Sequence, residues 1–301
     1  MTSVAHGPPI LLTGGSGQVG TELQRLAGPD FQIVAPGRAL LDLADPEGVA
    51  AFVTSRPWAA IINAGAYTAV DQAQSDPLTA WRINALAPAA RALAASQAGI
   101  PLIQVSTDYV FSGEKPSPYV EDDPVGPLGV YGASKEAGEQ AVRVGATRHL
   151  ILRTAWVVSA NGGNFIKTML RLGESRDRLA VVDDQRGCPT SAADIASVLE
   201  QICRRMIAEP DAPTGTYHFV NCGEATWFEL AGEVFARAKA KGRAVPRVDP
   251  IPTRDYPTPA RRPANSRLDT TKLNRDFQIT PRPWKQAIGE VVDSLLADPV
   301  I

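Results

Sequence analysis

A chain of 301 residues can bury a large core in one domain or two closely joined ones, which excludes a small scaffold held by disulfides or metal. Its 30 basic and 32 acidic residues leave a net charge of −2, so no global field draws it onto nucleic acid or an anionic membrane. Any anionic ligand has to be met by local groups.

Met1 to Pro9 lacks a basic start and an apolar stretch, and no apolar run approaches the ~18 residues needed to span a bilayer. A soluble, cytoplasmic protein is expected. Apolar runs at Ile10–Leu12, Phe31–Ala35, Ala59–Ile62, Pro101–Val105 and Leu150–Leu152 read as strands buried on both faces. Between them, Gln18–Leu26, Pro46–Thr54, Asp76–Ala98 and Tyr131–Val144 have helical length and periodicity, and Asp45-Pro46 suits an N-cap followed by proline. This alternation predicts an α/β fold, a Rossmann-like doubly wound parallel sheet. Helices are expected again around Ser191–Arg205, Trp227–Lys239 and Trp284–Leu296. Between the last two, Val245–Pro263 carries prolines at 246, 250, 252, 257, 259 and 263, a density that predicts an ordered or semi-rigid loop. Cys188, Cys203 and Cys222 form no C-x-x-C pair, and neither they nor His6, His149 and His218 show ligand spacing, so reduced, buried thiols and no zinc are expected.

Thr13-Gly14-Gly15-Ser16-Gly17-Gln18-Val19-Gly20 follows the first strand and opens the first helix. Glycines three apart in that context permit a tight turn and let backbone N–H groups approach a pyrophosphate, so a dinucleotide site is predicted. The carboxylate that usually meets the adenosine ribose about 20 residues on is absent from Ala35-Pro36-Gly37-Arg38. Arg38 there favours a 2′-phosphate and hence NADPH, with NADH as the alternative; it also suits stacking on adenine or a place in solvent. Asp42 and Leu43 follow as candidate cofactor contacts, and Ala64, Gly65, Ala66 and Tyr67 supply a small-residue loop against a flat ligand.

Tyr131 and Lys135 are four apart, so on a helix they share a face, and Ser106-Thr107-Asp108-Tyr109 precedes them with a hydroxyl. A phenol titrates near ~10, and bringing it to neutrality takes about 4 kcal/mol. One fixed cation at ~4 Å and an effective dielectric of ~20 supplies that much, so Lys135 alone is expected to activate Tyr131 as an acid for a carbonyl.

These residues resemble the extended short-chain dehydrogenase/reductases, and within them the dTDP-4-dehydrorhamnose reductase family. The resemblance rests on the glycine motif, Tyr131 and Lys135, NAGAYTAVD at 63–71, STDYVF at 106–111, RTAW at 153–156, NFIKTMLRL at 164–172, DQRGCPT at 184–190, Thr226-Trp227 and YPTPARRPANSRL at 256–268. It runs from near residue 9 to near 290. It implies NADPH-dependent reduction of the C4 ketone of dTDP-4-dehydro-L-rhamnose, giving dTDP-L-rhamnose for polysaccharide. Thr107, Tyr131 and Lys135 would be catalytic: the tyrosine protonates the alkoxide, the lysine lowers its pKa and holds the nicotinamide ribose, and the threonine bonds the carbonyl oxygen. Thr107, Asp108 and Tyr109 would touch the substrate, Asn164 and Phe165 its nucleotide, Arg261 and Arg262 its diphosphate, and Trp156 its deoxysugar.

The resemblance further implies a dinucleotide-binding unit of residues 1–156 with 188–221 returning to it, and a substrate unit of 157–187 and 222–301. It brings a homodimer and Mg²⁺ held through glutamates as family properties, although no set of glutamates here is placed for the metal. Gly37 and Gln74 depart from acidic residues common in relatives, which leaves cofactor preference and any acidic metal or dimer contacts open. Competing readings are a nucleotide-sugar epimerase or dehydratase, weakened because no glutamate follows Asp108, and a non-catalytic NADP-binding regulatory subunit of S-adenosylmethionine synthetase.

Overall fold

Six short strands lie in parallel at the centre of the computed structural model, which describes residues 8–297. Expectations about residues 1–7, including His6, and about 298–301 fall outside the described residues. The sheet runs Gly215–His218, His149–Thr154, Leu102–Thr107, Ala60–Asn63, Ile10–Thr13, Ile33–Val34, with every neighbouring pair parallel. Leu11 and Leu12, Ile61 and Ile62, and Leu150 and Ile151 are all fully buried, as a sheet covered on both faces requires. Side chains alternate between two cores. Ile10, Leu12, Ile62 and Leu152 meet helices Gln18–Arg25, Ala192–Ala208 and Thr271–Phe277, whereas Leu11, Ile61 and Ile151 meet Pro46–Thr54, Ala87–Ala98 and Val130–Gly145. Each buried Leu or Ile contributes about 1.5–3 kcal/mol relative to exposure. From Ile10–Thr13 the chain first pairs outward to Ile33–Val34 and then inward to Ala60–Asn63, so a crevice opens at their carboxyl ends, where strand order reverses.

A separate cluster joins Ile166 and Met169 of helix Phe165–Gly173, Leu230 and Val234 of Trp227–Ala240, and Ile288 and Val292 of Trp284–Ala297. Leu179 and Val181 of strand Arg178–Val182 complete it. That strand pairs in parallel with Arg247–Ile251, so the proline-rich stretch is not loop throughout. Pro250 fits because a two-stranded sheet consists only of edges, where a residue without N–H is tolerated.

The long helix expected over Asp76–Ala98 is also broken. It comprises Pro77–Trp81, a π-helical turn Arg82–Leu86 and Ala87–Ala98. Pro88 has no N–H for the carbonyl four residues back, and the wider turn accommodates that missing bond. The strand Gly215–His218 had no apolar run to announce it, and Phe165–Gly173 and Thr271–Phe277 are helices not predicted from periodicity. Cys188 and Cys203 are buried, and burial pushes their thiols up to about 11 and about 12, but Cys222 is exposed.

Arg91 is fully buried, and Nε, Nη1 and Nη2 all lack a hydrogen-bond partner among the described residues. Burial lowers its pKa to about 9, so at neutral pH the fold carries an uncompensated cation. Arg91→Met, of similar length, is expected to raise unfolding free energy by ~1–4 kcal/mol in urea titration. A loss of stability would reveal a partner for the guanidinium.

Candidate active site

The crevice is lined first by the glycine loop. Gly14 adopts φ 80°, and a Cβ on it would lie 2.3 Å from the Gly65 nitrogen, so two βα loops touch there. Helix Gln18–Arg25 begins at Gly17 with no side-chain cap and no acid in its first turn, which leaves N–H groups open to an anion. Thr13 Oγ1 donates to Asn63 Oδ1 at 2.5 Å and Asn63 Nδ2 to Gln104 Oε1 at 2.8 Å, stitching three strand ends together below the loops. Gly65 N donates to the same Asn63 Oδ1 at 3.2 Å. Leu43 packs on Gly65, where a Cβ would come within 2.6 Å of Leu43 Cδ1, while Val19 is buried in the core beneath the loop.

Arg38 is exposed, and Asp42 lies 3.7 Å from its Nε. The expectation of a guanidinium free of any competing carboxylate is therefore corrected, although an exposed pair at that distance holds the side chain only weakly. Asn84, in the π-helical turn, fixes the third loop: its Oδ1 accepts from Tyr67 N at 2.8 Å, and its Nδ2 donates to Tyr67 O at 3.1 Å and Ser134 Oγ at 3.0 Å. Sequence reasoning missed Asn84. Its only signal is a lone amide in an otherwise apolar Ile83-Asn84-Ala85-Leu86 run.

Thr107 ends its strand, and a 3₁₀ turn Asp108–Val110 follows. Helix Val130–Gly145 lies flush on that turn, since a Cβ on Gly132 would sit 2.1 Å from Tyr109 O. Tyr131 and Tyr109 consequently meet edge-on at 5.4 Å, with Thr107 beside the phenol. Burial raises the Tyr131 pKa above the usual phenol value; the Thr107 hydroxyl opposes this, while Asp108 and Tyr109 reinforce it. Lys135 is buried too, and its Nζ donates to Val105 O at 2.7 Å. Desolvation lowers its pKa to about 8, with Glu139 opposing and Arg91 reinforcing the fall. The expectation that Lys135 brings the phenol near neutrality is thus corrected. The ammonium is directed at a backbone carbonyl, and burial is the largest influence on the phenol, which it holds in the neutral form.

One turn further, the buried Glu139 accepts from Arg153 Nε at 3.0 Å and Nη2 at 2.7 Å, and from Arg143 Nη2 at 2.5 Å. Arg153 also approaches His218, whose pKa burial and that guanidinium depress to about 3. This network ties the helix bearing Tyr131 to strand His149–Thr154.

Beyond Tyr109, Arg262 Nη2 pairs with Asp71 Oδ2 at 2.6 Å and its Nη1 donates to Tyr109 OH at 3.2 Å. Asp71 Oδ1 also accepts from Ala260 N at 3.1 Å, so it anchors the proline-rich segment to the crevice, a role not foreseen. Arg261 is exposed and does not share that position. Asn164 is otherwise engaged than expected: Oδ1 caps helix Phe165–Gly173 at Lys167 N, 3.2 Å, and Nδ2 donates to Gln18 Oε1 at 3.0 Å. Gln18 Nε2 donates in turn to Val157 O at 3.4 Å. Trp156 is no free wall either. It stacks on Trp227 at 3.5 Å and 8°, against Gly187, with Phe165 tilted on Trp227 at 4.8 Å. It does so at φ 48°, a strained backbone for a bulky residue.

A doubly wound sheet, an uncapped glycine turn at its switch point and a tyrosine–lysine pair on the flanking helix define an oxidoreductase of the extended short-chain dehydrogenase/reductase class. The family described as RmlD substrate binding domain matches residues 9–297. A dTDP-4-dehydrorhamnose reductase of Sinorhizobium fredii is 44% identical over 96% of this chain and 98% of its own. Among solved structures, one from Clostridium acetobutylicum described as a dTDP-4-dehydrorhamnose reductase has TM-score 0.88 and 35% identity, covering 96% of this chain and 99% of that one. Another of that name, from Bacillus anthracis in complex with NADP, has TM-score 0.88 and 34% identity, covering 95% and 99%. The chain belongs to the dTDP-4-dehydrorhamnose reductase family.

Proposed function

We propose that this chain reduces the C4 ketone of dTDP-4-dehydro-L-rhamnose to dTDP-L-rhamnose with NADPH. The observation that carries the reading is the placement of Tyr131, edge-on to Tyr109 with Thr107 beside its hydroxyl at the carboxyl end of the sheet where the glycine loop opens. The crevice suits the cofactor because Gly14 and Gly65 meet without side chains and the helix N-terminus is uncapped; a relative solved with NADP supports the same choice. Bound there, NADPH would supply the hydride. Tyr131 gives its proton to the developing alkoxide, Thr107 orients the ketone oxygen, and Lys135 holds the nicotinamide ribose. Arg38, exposed and loosely paired, is available to a 2′-phosphate, which favours NADPH over NADH.

Residues 1–156 with 188–221 would form the cofactor unit, and 157–187 with 222–301 the substrate unit. Leu273, Phe277 and Ile279 nevertheless pack in the first unit's core. Among the described residues no three His, Cys, Asp or Glu side chains gather to hold an ion, so no residues are assigned to Mg²⁺ and no step runs through one. Among the same residues, no helix is long and apolar enough to cross a membrane.

The test is absorbance at the NADPH band on adding the dTDP-4-keto-6-deoxysugar, with loss of absorbance expected. Cofactor binding without oxidation would favour the regulatory reading. Arg262, held by Asp71 and Tyr109, would be the arginine that meets the diphosphate. Arg262→Met is expected to raise KM about 10–100-fold with a smaller change in kcat, the scale of a charge-assisted bond. An unaltered KM in steady-state kinetics would remove the diphosphate assignment.

A further inference from the structure

Thr107 and Asp108 share a proton whose position decides what the threonine can do. Thr107 Oγ1 lies 3.0 Å from Asp108 Oδ1 and accepts from Tyr109 N at 3.2 Å. A hydroxyl has one proton. With Asp108 ionised, that proton is committed to the carboxylate, and Thr107 offers only lone pairs to a ketone oxygen, which is itself an acceptor. Hydride delivery then puts negative charge on that oxygen, and a carboxylate one side chain away opposes it.

The surroundings favour the uncharged form. Asp108 is 3% exposed, and among the described residues its Oδ2 has no hydrogen-bond partner within ordinary geometry. The groups facing it are Tyr131 from helix Val130–Gly145, Tyr109 from its own turn, Cys188 beyond strand Arg186–Gly187, and the Ser266 hydroxyl. None is a cation, and the nearby Arg262 is engaged by Asp71 and Tyr109.

We propose that Asp108 works as a neutral carboxylic acid, donating its proton to Thr107 Oγ1 so that the Thr107 hydroxyl donates in turn to the ketone oxygen. The proposal rests on the reductase reading and adds a positioning residue to it. No bond to Asp108 changes over the cycle: the carbonyl carbon gains the hydride, its oxygen gains the Tyr131 proton, and the carboxyl keeps the proton with which it began. Burial holds Asp108 at about 6, well above an ordinary aspartate, even though hydrogen bonds from Ser266, Thr107 and the backbone of Asp108 and Tyr109 pull it down; an anionic substrate beside it would raise that value further. A carboxyl kept neutral in an apolar site to donate a hydrogen bond is established enzyme chemistry.

The test compares kcat/KM from pH 5 to 8 in the wild type and in Asp108→Asn, whose amide remains a neutral donor to Thr107. The wild type is expected to lose up to about tenfold per pH unit above about 6, because kcat/KM reports the free enzyme's ionisations. Asp108→Asn is expected to stay within about tenfold of the wild type at pH 5.5 and to lack that decline, so the activity ratio of variant to wild type rises about 25-fold by pH 7.5. Persistence of the decline in Asp108→Asn, or a loss beyond about 100-fold at every pH with NADPH affinity intact, overturns the role. If Asp108→Asn does not fold, Thr107→Ser should keep the decline and the slower Thr107→Val should lose it; the reverse pattern overturns the proposal. A wild type that oxidises no NADPH at any pH overturns the reductase reading and this proposal with it, whereas an active wild type lacking the decline overturns the Asp108 role alone.

Discussion

Tyr131→Phe is expected to lower kcat about 10²–10⁴-fold, the usual contribution of a positioned general acid. Phenylalanine preserves the edge-on packing against Tyr109 and removes only the hydroxyl. The glycine turn, Lys135 and the Asn84 contacts remain, so NADPH binding, followed by fluorescence titration, should change less than about threefold, under 1 kcal/mol. The phenol's pKa is raised, not lowered, so the acid form persists throughout the working range and the wild type should show no alkaline loss from Tyr131 itself. Unchanged turnover in Tyr131→Phe would refute the assigned acid.

Glu139→Leu is expected to destabilise the protein by about 3–5 kcal/mol, because it leaves Arg153, 2% exposed, as a buried cation without its carboxylate. Against a typical total of about 5–15 kcal/mol this is large, and urea denaturation should show it as a lower midpoint at unchanged slope. The same change removes the group that supports the Lys135 charge, so the lysine pKa should fall below about 8. Adding Arg153→Met should recover much of the lost stability, since replacing both members of a buried pair costs far less than orphaning one. A single-variant loss under about 1 kcal/mol would show that the pair is not what joins helix to strand.

The sheet was legible wherever burial on both faces left a short apolar run, as at Ile10–Leu12 and Ala59–Ile62, because that pattern is local. The glycine turn and the tyrosine–lysine pair were equally local, one set by strand–turn–helix context and the other by helical spacing. What escaped was long-range. Nothing near Asp71 announces that it orients Arg262, 191 positions away, and nothing near Asn164 announces Gln18. Trp156 was visible as an important aromatic, but only the fold shows its ring already occupied by Trp227. Lys135 misled for a related reason. Helical spacing gives the face of a side chain and not its direction, and the ammonium points to Val105.

The thread from Asn164 through Gln18 to Val157 joins the first turn of the glycine-loop helix to the entrance of the second cluster. An anion settling on that turn would act on the same side chain that reaches the cap of helix Phe165–Gly173 and, through it, the second cluster. A ligand held at that turn and one held against the second cluster would then be coupled, and by reciprocity each would alter the other's dissociation constant by the same factor.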